Sequence, residues 1–425
     1  MTTDYVIKGG RIVDETGEYF ADVVVRDGEI VGVGPDLTAS RTIDAAGCVV
    51  APGLVDLHTH LREPGKEEAE TVESGSRAAA LGGYSAVLAM PNTTPAIDCA
   101  SVVRDVQELA RRALVLVEVS GAITVGRAGE TLAPMGEMAD LGVKIFTDDG
   151  TGVQDIALMR RALEYAKALD VTLAQHCEVS ELSAGTVMHE GAWSSRLGLP
   201  GQPAEAEELM VMRDIALARL TGARVHFLHL STAGSVAMVQ AAKASGLPIT
   251  AEAAPHHFTL TDECCATYDA LYKVHPPLRT DHDVAAVKVG LADGTIDAIA
   301  TDHAPHSPHE KERPFDEAPP GMLGLEYALA LAITELGMDL REVLARLSWQ
   351  PARIAGIADR HGGPIASGRP ANLFVFNPEE DWTIDDSGGA SRSRNVPYVG
   401  RRVRGRVRHT ILEGEPVVLD GEAQR

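Results

Sequence analysis

Hydrophobic and polar positions follow two different patterns along this chain. From residue 1 to about 50, and again after about 360, short apolar runs are separated by tight, glycine-rich turns. Such runs predict short β-strands, for example a hairpin joining 5–8 to 11–13, and neither stretch has a helical period. Because the two ends share this texture, they predict one small β-sandwich domain formed from both termini.

The middle of the chain, from about 50 to 350, alternates β-branched apolar runs with longer amphipathic segments. Eight strands are predicted there, at 49–57, 84–90, 114–119, 143–147, 171–175, 224–229, 248–252 and 296–301. Helices are predicted between them, including 67–81, 101–112, 155–169, 205–220 and 233–244. Eight strand–helix units in series favour an α/β fold, a closed (β/α)8 TIM-type barrel. The alternative is an open doubly wound sheet, but no Gly-x-Gly-x-x-Gly turn follows the first strand. The predicted domains are 1–50 and 359–425 for the β domain and 51–358 for the barrel.

Potential metal ligands follow several of these strands. His58 and His60 lie two positions apart, and alternate residues of an extended chain face the same way. Further candidates at later strand ends are Asp148, Asp149, His176, His229 and Asp302. Each alone has a structural explanation: a hydrogen-bonded core histidine, a turn, or a helix N-cap at Asp302. In a barrel these strand ends meet at one rim, so the joint pattern predicts a site for two divalent cations.

The ligand types favour zinc, which binds imidazole and carboxylate groups. A hydroxide shared by two zinc ions could attack an sp² carbon near neutral pH. Asp302 is the candidate proton shuttle, taking the proton of the nucleophile and passing it to a leaving nitrogen. Arg62, two residues after His60, places an anion-binding group beside the metals. No Gly-x-Ser-x-Gly motif and no nucleophilic cysteine context is present.

Composition narrows the classes of partner. The formal net charge of −23 argues against nucleic acid and anionic membranes, and no apolar run reaches membrane-spanning length. If the substrate is an anionic small molecule, it must be attracted by local groups, namely metal ions and arginine, against the negative charge of the whole chain. Five cysteines without zinc or disulfide spacing, and an N-terminus unlike a signal peptide, favour a cytoplasmic protein with reduced thiols.

Five motifs together give a family resemblance over essentially the whole chain. They are Asp-Leu-His-Thr-His at 56–60 with Leu-Arg-Glu-Pro-Gly at 61–65, Met-Pro-Asn-Thr at 90–93, Phe-Thr-Asp-Asp-Gly at 146–150, Pro-Pro-Leu-Arg at 276–279 and Thr-Asp-His-Ala-Pro-His at 301–306. The chain resembles the amidohydrolase superfamily and, within it, the bacterial class I dihydroorotases. The first motif alone is shared with hydantoinases, dihydropyrimidinases and allantoinases; the 61–65 extension narrows the match.

The resemblance implies the zinc-dependent, reversible hydrolysis of the cyclic amide of dihydroorotate to N-carbamoyl-L-aspartate in pyrimidine biosynthesis. It implies one metal on His58, His60 and Asp302, a second on His176 and His229, and Asp149 as the bridge. The implied substrate contacts are His60, Arg62, Asn92, His275, His306, Pro320 and Gly321. Arg62, Asn92 and His306 would hold the carboxylate, and position 275 and the backbone at 320–321 would contact the ring.

Two positions depart from the pattern of related enzymes. Many amidohydrolases bridge their metals with a carboxylated lysine at the end of the fourth strand, and the only nearby lysine here, Lys144, lies at the wrong end of that predicted strand. Asp149 is therefore the favoured bridge, with Lys144 as the alternative. His275 stands where the family more often has asparagine, and a histidine there would add pH dependence. Of the other histidines, His256 and His257 are expected to support the ligands, and His189, His282 and His361 to be solvated.

Two other functions remain as alternatives. One is a hydantoinase- or allantoinase-like enzyme, against which Arg62 argues, because a ring without a carboxylate needs no such arginine. The other is an inactive homologue that acts as a structural partner of aspartate transcarbamoylase, against which the complete ligand set argues. A homodimer and an association with aspartate transcarbamoylase both stay open. The basic run 401–408 is expected to be one solvated strand face, with a docking surface as the alternative.

Overall fold

Eight parallel strands form a barrel in the computed structural model, which describes residues 4–385 and 389–424. The barrel strands are Leu54–Thr59, Tyr84–Ala89, Leu116–Val119, Ile145–Thr147, Thr172–Gln175, Arg224–Phe227, Ile249–Ala253 and Ala298–Ile299. They pair in parallel in sequence order as two sheets of three and five strands. Parallel bridges from Gly121 to Phe146 and from Thr59 to His303 join the two sheets on both sides. The predicted closed (β/α)8 barrel is confirmed.

Helices follow the barrel strands and cover them. The α-helices are Val72–Leu81, Ala100–Ala110, Met135–Ala139, Ile156–Leu169, Ser180–Ser183, Ala192–Leu197, Glu205–Thr221, Ala233–Ala244, Pro255–Thr259, Asp281–Asp293, Pro308–Lys311, Ala328–Glu335, Leu340–Leu344 and Gln350–Ala355. Short 3₁₀ turns lie at Val125–Arg127, Asp262–Thr267 and Ala270–Tyr272, and a π-helical turn at Ala345–Trp349. Threonines start two of the main helices: Thr71 and Thr232 each accept a hydrogen bond from a first-turn backbone N–H. No helix among the described residues is long and apolar enough to cross a membrane.

The two ends of the chain form a β-sandwich. One sheet contains Asp4–Lys8, Asp22–Arg26, Glu29–Gly34 and Arg41–Asp44; the other contains Arg11–Asp14, Gly17–Phe20, Val49–Pro52, Leu373–Thr383, Arg402–Leu412, Glu415–Leu419 and Glu422–Ala423. A separate two-stranded sheet pairs Met188–His189 with Gly201–Gln202. Buried side chains from both ends, including Ile7, Ile12, Val25, Leu373 and Ile411, pack into one apolar cluster. The predicted sandwich from both termini is confirmed.

Two local predictions were wrong. The expected hairpin does not form, because Asp4–Lys8 pairs with Asp22–Arg26 while Arg11–Asp14 pairs with Gly17–Phe20 in the other sheet. The expected strand 49–57 is two strands that separate at Gly53. A Cβ at that position would overlap the Ser85 side chain, so the chain changes sheets where only glycine fits.

The arginines of the basic run lie on one face of Arg402–Leu412, as predicted. Arg402 pairs with Asp381 at 2.8 Å, and Arg404 pairs with Glu379 at 3.3 Å. The Arg406 guanidinium lies over the Trp382 ring, 5.0 Å from its centre. These arginines are exposed, and each interacts with an acidic or aromatic side chain of the neighbouring strand.

Candidate metal centre and substrate cavity

Asp149 lies at the centre of a buried cluster at the carboxyl ends of the barrel strands. Its Oδ1 is 3.4 Å from His58 Nε2, 3.4 Å from His176 Nδ1 and 3.7 Å from His229 Nε2. Its Oδ2 is 3.5 Å from His60 Nε2. One carboxylate therefore faces four imidazoles that come from three different strand ends.

Asp302 completes the cluster from the eighth strand. Its Oδ1 lies 3.1 Å from His60 Nε2 and 3.6 Å from His58 Nε2. Two overlapping groups, His58–Asp149–His229 and His58–His60–Asp302, have one ligand atom per residue within 4.8 Å of one another. His176 lies beside them, with its Nδ1 3.0 Å from His229 Nε2. All six predicted metal ligands are therefore brought together.

Three of the four imidazole rings have a hydrogen-bonding partner on the side that faces away from the cluster. His58 Nδ1 donates to Glu252 Oε1 at 2.8 Å, and His60 Nδ1 donates to Asn92 Oδ1 at 2.9 Å. His176 Nε2 lies 3.2 Å from Glu178 Oε2. The partners behind these three rings orient the opposite nitrogen of each toward the cluster, which is the arrangement of metal-binding histidines.

Within the described residues, the buried atoms His58 Nε2 and Asp149 Oδ1 have no hydrogen-bond partner. Buried polar atoms rarely lack partners, and unpaired imidazole and carboxylate groups facing one another suit a cation. The donor set therefore fits divalent metal.

Electrostatics keep both carboxylates ionised. Burial opposes the charge of Asp149, but the His58, His176 and His229 side chains outweigh it and hold its pKa well below the usual range. The pKa of Asp302 is likewise lowered against burial, by the hydrogen bond with His60 and the charge of His58. Both side chains are therefore available as anionic ligands at neutral pH.

Two supporting carboxylates escaped sequence reasoning. Glu252 accepts from both His58 and His226, the latter at 2.9 Å, and these bonds lower its pKa to about 2 although burial raises it. Glu178 follows His176 by two residues and also lies 3.6 Å from His275. One feature of the sequence could have identified Glu252, namely its position as an acid at the end of a predicted apolar strand.

The neighbouring acids have structural roles. Asp148 points away from the cluster and accepts from the backbone N–H groups of Ile123 (2.9 Å) and Thr124 (3.0 Å). Asp56 accepts from the backbone N–H and side-chain hydroxyl of Thr301, both at 2.7 Å, and so ties the first strand to the eighth. The candidate ligands His229 and Asp302 have positive φ angles, 31° and 45°, a strained backbone typical of functional sites.

An anion-binding group lies beside the cluster. Arg62 donates from Nε to the Pro305 carbonyl at 3.1 Å, and its Nη2 is 3.5 Å from His306 Nε2. Burial lowers the pKa of Arg62 to about 10, so it is still cationic at neutral pH. Burial and the Arg62 charge lower the pKa of His306 to about 2, so that ring is neutral and donates from Nε2 to the Pro320 carbonyl at 2.8 Å.

One cavity contains all the predicted substrate contacts. Its lining residues are His60, Arg62, Asn92, Asp149, Gly150, His176, His229, Val274, His275, Asp302, Ala304, His306, Pro320 and Gly321. Lys144, the alternative bridge, is exposed instead and lines a different pocket, together with residues at the amino ends of barrel strands such as Thr172 and Arg224. The structure therefore places Asp149, and not Lys144, within the cluster.

Five further histidines were given an environment from the sequence: His189, His256, His257, His282 and His361. His256 is buried with its Nε2 3.9 Å from Asp302 Oδ2, and His257 donates to the Pro276 carbonyl at 3.0 Å. His282 is exposed, as expected. The expectation that His189 and His361 are solvated was wrong: both are buried, His189 against Arg279 (3.1 Å) and His361 against Ser85 (2.9 Å).

A closed parallel barrel with this histidine–aspartate cluster at its carboxyl rim defines a metal-dependent amidohydrolase. Comparison with known proteins agrees with that class. The Dihydro-orotase-like family model matches residues 47–235. Dihydroorotases from Pelotomaculum thermopropionicum (47% identical; 98% of both chains) and Streptomyces coelicolor (48%; 98% of this chain, 99% of the other) match along their length. The chain belongs to the dihydroorotase family.

Solved structures with the same architecture are more distant in sequence. The L-hydantoinase (dihydropyrimidinase) of Arthrobacter aurescens superposes with a TM-score of 0.89 at 24% identity, covering 100% of this chain and 98% of that one. The dihydropyrimidinase of Brevibacillus agri gives a TM-score of 0.87 at 23% identity, with coverages of 99% and 96%. At this identity the likeness concerns the fold alone.

Proposed function

We propose that this chain is a dihydroorotase that interconverts dihydroorotate and N-carbamoyl-L-aspartate in pyrimidine biosynthesis. The observation that carries the proposal is Arg62, a half-buried guanidinium in the same cavity as the ligand cluster. A ring carboxylate bound there would place the cyclic amide against Asp149 and Asp302. Full-length relatives at 47–48% identity that are themselves dihydroorotases support the same substrate.

His58, His60 and Asp302 would hold one divalent ion and His176 and His229 a second, with Asp149 between them. Zinc is the proposed metal because the donors are imidazole nitrogens and carboxylate oxygens. Bound there, the metal would supply Lewis-acid polarisation of the amide carbonyl and acidification of water.

The side chains of the chain itself then have distinct tasks. Asp302 accepts the proton of the attacking water on its carboxylate and delivers it to the ring nitrogen as the amide C–N bond breaks. Arg62, Asn92 and His306 hold the ring carboxylate. His275 and the backbone at Pro320 and Gly321 fix the ring, so that its carbonyl carbon faces the water.

The proposal extends to organisation and location. We propose that 51–358 forms the catalytic barrel and that 1–50 and 359–425 form the supporting β domain. Five free thiols are consistent with action in the cytoplasm. A homodimer or an association with aspartate transcarbamoylase would be an addition to this catalytic unit, not a replacement for it.

A substrate panel tests the function. Turnover of dihydroorotate, hydantoin and allantoin is measured side by side on one preparation, with metal content determined on the same sample. We expect hydrolysis of dihydroorotate well above the other two rings, with metal bound. Preferential turnover of hydantoin or allantoin would contradict the proposal, and an inactive, metal-free protein even after zinc addition would favour a purely structural role.

A further inference from the structure

One wall of the cavity is backbone rather than side chain. Pro320 and Gly321 line it, and the Pro320 carbonyl accepts from His306. Gly321 has a φ of +145°, and a Cβ there would come within 2.9 Å of the Ala304 carbonyl oxygen and of the His306 ring. Gly321 has no side chain to anchor this wall, so its position depends on the hydrogen bonds of its backbone N–H and carbonyl groups.

Lys311 is one such group. Its buried ammonium donates to the carbonyls of Pro319 (3.0 Å) and Gly321 (3.2 Å), and makes a longer contact of 3.5 Å with the carbonyl of Lys273. The Gly321 N–H donates to that same Lys273 carbonyl at 2.9 Å. Lys311 therefore joins the wall to the segment that leads into His275. Burial lowers the pKa of Lys311 to about 7, and either protonation state keeps at least two N–H donors.

Asn395 is the second group, and it comes from the C-terminal part of the chain. Its buried Nδ2 donates to the carbonyls of Ala304 (2.9 Å) and Gly321 (3.1 Å). Its Oδ1 accepts from the backbone N–H of His306 at 3.2 Å. One amide side chain therefore joins the proposed ring contact at 321 to the proposed carboxylate contact at 306.

We propose that Lys311 and Asn395 are positioning residues that clasp the 319–321 wall against the segments carrying His275 and His306. The inference rests on the proposed function, because it assumes that this wall contacts the dihydroorotate ring. The two side chains converge on the Gly321 carbonyl, and among the hydrogen bonds of the described residues neither bonds to a proposed metal ligand. Loss of the clasp should therefore weaken substrate binding more than it slows the chemical step.

Lys311→Met tests the clasp, because methionine fills similar space without donors. We expect KM for dihydroorotate to rise about tenfold while kcat changes less than about threefold and metal content is unchanged. Lys273→Met is the matched control. Lys273 is also buried and binds the same loop, but at the Asp316 carbonyl (2.9 Å), so its KM should stay within about twofold of wild type.

A second measurement does not depend on the substrate. Amide hydrogen exchange across 318–325, in the absence of ligand, should accelerate in Lys311→Met and not in Lys273→Met. The same two measurements on Asn395→Ala test the second side chain of the clasp. They decide whether the clasp positions the wall if the Lys311→Met variant does not fold. Unchanged KM and exchange in folded variants would overturn the clasp, as would equal losses in Lys311→Met and Lys273→Met. If wild type does not turn over dihydroorotate, the proposed function fails, while the exchange data still decide the clasp.

Discussion

The two ends of the barrel arrange their carboxylates in different ways. At the amino ends of the strands, charges pair directly: Arg224 with Asp170 at 2.6 Å, and Lys243 with Asp297 at 2.7 Å. At the carboxyl ends, Asp149 and Asp302 each face several imidazoles at 3.1–3.7 Å, and in the part of the chain that the structure describes the buried His58 Nε2 and Asp149 Oδ1 have no hydrogen-bond partner. Oppositely charged side chains that form direct ion pairs stabilise a fold. Ionisable groups that are held close together but keep unpaired atoms are suited to binding a ligand.

The largest effect is expected from replacing Asp302, the proposed proton shuttle at the carboxyl end of the barrel. Asp302→Asn keeps the size of the side chain but removes its basic oxygen, so we expect turnover of dihydroorotate to fall by about 10³-fold. Steady-state kinetics on protein with verified metal content measures it. Asp297→Asn, a carboxylate at the amino end, is the control and should stay near wild-type activity. Activity within tenfold of wild type in Asp302→Asn would contradict the assignment.

Arg62→Met removes the proposed carboxylate contact without touching the ligand cluster. We expect kcat/KM for dihydroorotate to fall by about 10²-fold, the cost of losing a charge-assisted contact, with metal content retained. Arg224→Met removes an arginine from the opposite end and should leave kcat/KM unchanged. Equal activity of the Arg62 variant and wild type would refute the carboxylate assignment.

Glu252→Gln probes the partner behind His58. Glutamine can accept the same hydrogen bond but lacks the charge that strengthens the imidazole as a ligand, so metal affinity should fall about 10- to 100-fold. Competition with a chelator on the folded protein measures the affinity directly. Asp297→Asn again serves as the control, and an affinity in Glu252→Gln equal to that of the control would remove Glu252 from this role.

The smallest effect is expected at Lys144. This exposed side chain at the amino end should be replaceable by methionine with a change in unfolding free energy of less than about 0.5 kcal/mol. Metal content and turnover should also stay at wild-type values. Loss of metal in Lys144→Met would show that this lysine, not Asp149, bridges the ions.

Much of the carboxyl rim was predictable because barrel topology turns sequence position into spatial position. Once eight barrel strands are recognised, residues that lie at the carboxyl ends of different strands, such as His58, His176 and Asp302, must converge at one end of the barrel. Glu252 was not predictable in the same way. Its importance depends on which imidazole of another strand lies beside it, 194 residues away in the chain, and sequence periodicity carries no such information.

The sandwich shows the same limit. Short apolar runs predicted strands at 5–8 and 11–13, yet the predicted hairpin between them was wrong, because burial in two separate sheets outweighed the local turn signal at Gly9 and Gly10. The buried position of His361 likewise depends on Ser85, a residue that is distant in sequence. Local pattern thus determined the elements, and long-range packing determined their partners.

We propose that the six-residue cluster at the carboxyl rim binds the metal on which hydrolysis depends. A zinc titration of chelator-treated protein, followed by dihydroorotate turnover, tests it most directly. We expect activity to be lost on metal removal and to recover as zinc is added, with saturation at two ions per chain. Full turnover by protein verified to be metal-free would contradict it.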